Sequence, residues 1–116
     1  MLRLAKDMTH DVAEGRRGGK GPVEMTVILR ADEMKGPVRL FNRVTLLPGS
    51  SIGYHQHEAE EEIYYILRGQ GMVNDNGIER AVQAGDALLT GDGAGHAIEN
   101  TGSEPLEMVA IIIRYC

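Results

Sequence analysis

The chain has 116 residues, 42 % of them hydrophobic and 25 % charged, which places it among ordinary globular domains and excludes a disordered or fibrous class. A formal charge of −5 and a pI near 5.3 argue against a binder of the phosphate backbone, which would carry a basic face. No run approaches the roughly eighteen apolar residues of a membrane-crossing helix, and the opening segment lacks the apolar stretch of a signal peptide, so a cytoplasmic protein with neither nucleic-acid nor membrane partners is expected.

One domain suits this length. Residues 1–24 read as an N-terminal arm: they are polar, show no hydrophobic period, and contain the glycine-rich RRGGKG of residues 16–21. A phosphate cradle is an unsatisfactory reading of that segment, because no apolar strand precedes it and no helix follows. It is expected to be a loop, with His10 in solvent. The domain proper is expected over 25–116. Fifteen glycines and four prolines punctuate short runs rich in Val, Ile, Leu and Tyr. The predicted strands cover 25–30, 38–47, 52–57, 63–68, 72–74, 78–82, 87–89, 96–100 and 106–114, with at most one helical turn in 31–36. Asp75-Asn76-Gly77 marks a tight hairpin. This pattern predicts an all-β antiparallel sandwich or barrel. Ile111-Ile112-Ile113 must place apolar side chains on both faces of the last strand. A second subunit covering the outer face makes a homodimer the expectation.

His55 and His57 are two residues apart, so on an extended strand they project to one side. Two imidazoles on one face suit a first-row metal, bound at about 2.0–2.2 Å, once neighbouring strands supply further ligands. Glu58, Glu60, Glu61 and Glu62 follow closely. From these residues alone, either a carboxylate completes a metal site or the run is a solvated acidic loop.

The surrounding spacing adds to this. Gly49, five residues, His55, one residue, His57, four residues, Glu62, six residues and Gly69 resemble the first motif of the cupin family. Gly85, five residues, Gly91, one residue, Gly93, two residues, His96, three residues and Asn100 resemble the second. Nine positions agree, over a region from about residue 38 onward. One departs: Gly91 stands where the family usually has proline, a turn-shaping residue that binds no metal.

The resemblance implies a double-stranded β-helix, the cupin jelly-roll barrel, with a divalent metal held inside by His55, His57, Glu62 and His96. Glu58, Glu60 and Glu61 are then expected outside the site, acting as a longer-range field. Gly91, Gly93 and Gly95 would permit a close backbone approach, and Asn100 would hydrogen-bond at a strand end. Mixed nitrogen and oxygen ligation favours Mn or Fe, with Zn, Ni and Co as alternatives. Three imidazoles and one carboxylate leave a divalent complex at net +1, and a six-coordinate ion keeps two positions open for a small-molecule ligand or substrate.

If Glu62 faces the lumen, Tyr64 and Ile66 share that face; Tyr64 is either a hydrogen-bonding partner of a ligand or a core tyrosine. Tyr54 is expected to pack on the side opposite His55. Arg39 and Arg43 fall on one face of their strand and Asn42 on the other, and surface positions are expected for the arginines. Cys116 is read as incidental, since a lone terminal cysteine forms no internal disulfide. Two function classes follow. One is a metal-dependent decarboxylase, dioxygenase or isomerase/cyclase of a small oxygenated molecule such as a carboxylic acid, sugar or polyketide-like substrate. The other is a non-catalytic sensor or storage module that binds a metal or small effector. The two-domain organisation of oxalate decarboxylase is absent from this chain, so that activity is not carried over.

Overall fold

Alternation of apolar and polar residues along the core strands determines which faces meet. A computed structural model describes residues 1–115; Cys116 lies outside them. The strands are β1 (Thr9–Glu14), β2 (Pro22–Leu29), β3 (Val38–Leu46), β4 (Ser51–Gln56), β5 (Glu60–Arg68), β6 (Gln70–Asp75), β7 (Ile78–Gln83), β8 (Ala87–Gly91), β9 (Gly95–Asn100) and β10 (Leu106–Arg114). They form a six-stranded sheet in the order β1-β2-β3-β10-β5-β8 and a four-stranded sheet in the order β4-β9-β6-β7. All pairings are antiparallel. No helix among the described residues is long and apolar enough to cross a membrane.

The core lies between the two sheets. Val44, Leu46, Tyr64, Ile66, Leu106, Met108 and Ala110 come from the larger sheet, and Ile52, Val73 and Ile98 from the smaller. Burying each large aliphatic side chain contributes about 1.5–3 kcal/mol, so this double layer supplies most of the driving force. β10 shows the pattern most clearly: Leu106, Met108, Ala110 and Ile112 are buried, while Val109, Ile111 and Ile113 are half-buried on the outer face. The isoleucine run therefore serves both faces, as its sequence requires.

The nine expected strands occur with boundaries shifted by a few residues, and the helical turn falls at Ala31–Glu33. One strand was missed. Thr9–Glu14, expected as part of a polar arm, is an edge strand paired along its length with β2. Five of its six residues are exposed, so neither face had to be apolar and no period marked it. His10 is exposed, as expected, with Nδ1 2.8 Å from Thr26 Oγ1.

Asn100 ties the end of the barrel together. Buried, it donates from Nδ2 to the carbonyls of Leu46 and Glu104, both at 2.8 Å, and its Oδ1 accepts from the Gly102 N–H at 2.9 Å. It joins the last turn of β3 to the approach to β10, as its expected hydrogen-bonding role required. Asn100→Ala removes three hydrogen bonds, one of them to the buried Leu46 carbonyl, and should destabilise the protein by about 2–4 kcal/mol. Thermal unfolding should show a melting temperature lowered by about 10 °C or more; a change of under about 2 °C would contradict this role.

Candidate functional site

The register of β4 against β9 sets His55 directly opposite His96. An irregularity between Ile52 and His55 turns the end of β4 inward, and the Ala94 carbonyl then holds the His57 N–H at 3.0 Å. Glu62 enters from the other sheet, on β5. The four side chains expected to act together do meet: one donor atom from each of His55, His57, Glu62 and His96 lies within 4.8 Å of the others. His96 Nε2 is 3.1 Å from His55 Nε2 and 3.2 Å from His57 Nε2. Glu62 Oε1 is 3.0 Å from the Nε2 atoms of both His57 and His96 and 3.9 Å from that of His55. His57, Glu62 and His96 are buried, and His55 is half-buried towards the opening.

The opposite ring nitrogens are all engaged. His55 Nδ1 donates to the Gly53 carbonyl at 2.8 Å, and His57 Nδ1 to Glu60 Oε2 at 2.7 Å. His96 Nδ1 lies 2.8 Å from the hydroxyl of Thr90, a buried residue of β8 paired with Glu62. A backbone carbonyl and a carboxylate can only accept, so the hydrogen sits on Nδ1 of His55 and His57, and Nε2 presents a lone pair to the centre. Such partners fix ring orientation at metal sites generally. A buried group of lone pairs facing one another is repulsive unless a cation lies among them. The residues present therefore fit a divalent metal.

Around the donors lies a cavity of about 90 Å³ lined by Arg16, Arg17, Arg39, Tyr64 and apolar residues including Met25 and Ile52. Tyr64 faces inward, stacked on His96 with centroids 4.6 Å apart and planes inclined by 15°. Burial pushes its hydroxyl well above the usual tyrosine range, and the nearby Glu62 charge adds to this. Burial would also raise Glu62, but its closeness to the imidazoles of His55 and His96, and the charge that the histidine rings carry once protonated, hold it down at about 2. His96 is lowered, chiefly by burial, against the pull of Glu62.

Several expectations need correction. Glu60, expected outside the site, is outside the four donors yet orients His57. Arg39, expected at the surface, is half-buried because a register slip near Val38 turns it towards the cavity. There it pairs bidentately with Glu60, Nε to Oε1 and Nη2 to Oε2, both at 2.9 Å. This pairing is the main reason that Glu60 is lowered and Arg39 raised. Arg43 is exposed and Asn42 buried, on opposite faces as expected. Arg16 and Arg17, placed in a plain loop, stand at the cavity rim. Only the chain's return past β4 reveals this; no local signal carried it. Tyr54 packs against Gly95, whose missing Cβ would lie 2.4 Å from the ring. Gly91 is also hemmed in: a Cβ there would lie 2.6 Å from that of Glu61.

The fold agrees with the family comparison. Residues 42–112 match the cupin domain family, and the chain belongs to it. Among known proteins it is 47 % identical over 113 residues, 97 % of this chain and 93 % of the other, to a Thermotoga maritima protein named "Oxalate-binding protein". A crystal structure from the same organism, described as a "predicted oxalate decarboxylase", superposes with a TM-score of 0.94 at 46 % identity, covering 98 % of this chain and 99 % of that one. The Streptomyces glaucescens tetracenomycin polyketide synthase protein TcmJ is 33 % identical over 66 residues, 57 % of this chain and 44 % of that protein.

The depressed carboxyl of Glu62 carries a pH consequence for the metal-free protein. A group whose pKa falls on folding adds stability that is complete above its unfolded value, here 4.5, and disappears as pH drops towards 2. The shift corresponds to about 3 kcal/mol. His96 acts in the same direction at higher pH: lowered from 6.5, it takes its proton more readily unfolded, so stability declines as pH falls below that value. Urea unfolding across pH should show acid loss in two stages, and Glu62→Gln should remove most of the lower one. A variant profile parallel to wild type between about pH 4.5 and pH 3 would contradict this.

Proposed function

We propose that His55, His57, His96 and Glu62 hold a divalent transition metal, Mn or Fe by preference, and that the loaded site acts on a small carboxylic acid as a metal-dependent enzyme. The observation that carries this reading is the convergence of three imidazole nitrogens and one carboxylate oxygen in a buried site, with Nδ1 of each ring already engaged. At bond lengths of about 2.1 Å, adjacent ligands of an octahedron lie about 3.0 Å apart and those of a tetrahedron about 3.4 Å apart. Four of the donor separations here are 3.0 to 3.2 Å, close enough for one ion to engage those groups together, and His55 stands 3.9 Å from Glu62. When bound, such an ion supplies Lewis-acid polarisation of a ligand oxygen.

The chain's own residues do the rest. Gly53, Glu60 and Thr90 orient the rings, and Arg39 holds Glu60 in place. The apolar wall formed by Met25, Leu40, Ile52 and Ile112 limits water in the cavity. A small acid as ligand is supported by the arginines at the rim and by the name of the T. maritima relative. An enzymatic role is supported by ionisable lining groups beyond the four donors, Tyr64 among them.

One observation favours a second reading, a non-catalytic binder of a small acid. Glu60 and Glu62 are pushed down and Tyr64 up, all away from neutrality, so none of the three is poised as a general acid or base. Screening small carboxylates for turnover with metal-loaded protein, under air and under argon, separates the two. Turnover of none of them, with binding retained, would select the binder.

We also infer a homodimer. Phe41, Ile111, Ile63 and Leu89 stand in register across four adjacent strands on the outer face of the larger sheet, beside Val109 and Tyr65. Leu89 is 63 % and Tyr65 47 % exposed, an apolar row that a second copy would cover. Light scattering at micromolar concentration should give twice the mass of 12.7 kDa; a monomer would contradict the inference.

The metal assignment has its own test. His57→Ala and Glu62→Ala should each lose most of the stoichiometric metal measured by elemental analysis after loading and desalting. Full retention in either variant would remove that residue from the ligand set.

A further inference from the structure

The loop joining β1 to β2 carries the feature that folding explains least. Arg16 and Arg17 both line the cavity rim, Arg16 half-buried and Arg17 exposed. Among the described residues neither guanidinium pairs with a carboxylate, whereas Arg39 beside them is taken up by Glu60. Two unneutralised cations are thus held at the mouth of a cavity in a chain of net charge −5.

The loop is seated firmly. Lys20 donates its N–H to Ser51 Oγ at 2.9 Å, and the Ser51 N–H donates to the Lys20 carbonyl at 2.8 Å. Gly19 and Gly53 let the two backbones touch: a Cβ on Gly53 would lie 2.0 Å from the Arg17 carbonyl, and one on Gly19 2.1 Å from that of Ser51. The loop is therefore anchored to β4, the strand that carries His55. Within it Arg17 adopts φ 55°, ψ 31°, the left-handed region. Its neighbours Gly15 and Gly18 are glycines at positive φ. Glycine at position 17 would relieve the backbone, so the arginine side chain is kept against a conformational cost, a pattern associated with functional positions.

We infer that Arg16 and Arg17 form an anion-reading rim that engages the outer carboxylate of a compact dianion whose other end faces His55, His57, Glu62 and His96. This rests on the reading of the site as a metal-loaded binder of small acids and names the charge and size it selects. A cavity of about 90 Å³ holds about three waters' volume, the size of a two- or three-carbon acid. With Glu60 neutralised by Arg39, the rim arginines make the local potential positive against the overall negative charge, so they favour a second negative charge over an isosteric neutral group.

The test compares oxalate with oxamate, which has the same shape and one charge fewer. Mn²⁺-loaded wild type, Arg16→Gln, Arg17→Asn and the double variant are titrated with each by calorimetry. Asparagine tolerates the left-handed conformation, and melting temperature and metal content verify folding and loading. Wild type should prefer oxalate. The double variant should bind it about 30-fold more weakly and oxamate no more than about threefold more weakly, while Arg17→Lys keeps most of the preference. Oxalate affinity within about twofold of wild type in the double variant would overturn the inference, as would equal losses for both ligands, and either would leave the metal-and-acid reading standing. Fully loaded wild type that binds neither ligand would overturn both.

Discussion

Everything about this site depends on holding three imidazole nitrogens and a carboxylate oxygen against one another where water is scarce. Taking a carboxylate out of water costs several kcal/mol unless its surroundings compensate. Here the surroundings prevail, since Glu62 is held at about 2 despite burial. The compensation is directional: each ring is turned by a partner on its far side, and those partners are a carbonyl of β4, a carboxylate at the start of β5 and a hydroxyl of β8. Three different elements must be in register before the nitrogens converge. The site is therefore a property of the assembled barrel, and its preorganisation comes from the same packing that forms the core.

The two sheets divide the labour. The smaller contributes all three histidines, from β4 and its exit and from β9; the larger contributes Glu62, Tyr64 and Thr90. The centre consequently bridges the layers. Arg39 and Glu60 continue the chain of contacts from β3 to His57, and the β1–β2 loop closes the same end from outside. Donor group, orienting group, supporting ion pair and rim follow one another outward over a short distance. Proteins sharing this fold carry different names, so chemistry is set by these grafted groups and by no property of the barrel itself.

Much of this was legible from residue order. The strands follow from period-2 alternation between glycine and proline punctuation. His55 and His57 share a face because their side chains are two residues apart, and the spacing of the motif glycines singles out Glu62 from three neighbouring glutamates. Tyr64 follows Glu62 inward for the same reason. β1 escaped because an edge strand exposed on both faces needs no apolar period. Arg39 was misplaced because alternation assumes an unbroken ladder, and the slip opposite Ile112 and Ile113 breaks it. Glu60 looked like solvated charge, since nothing local distinguishes a carboxylate that faces solvent from one that faces the back of an imidazole.

Side-chain periodicity thus settled the all-strand class and the inward pair of histidines, because these depend on neighbours a few positions apart, while the resemblance of the two motifs to the cupin family is what pointed to Glu62 and His96. What awaited the folded chain was the placing of Arg16, Arg17, Arg39, Glu60 and Thr90 around the four central side chains. Each lies six or more residues from at least one of its partners in the site, and its role arises from sheet register and loop docking, which are decided by packing across the whole barrel.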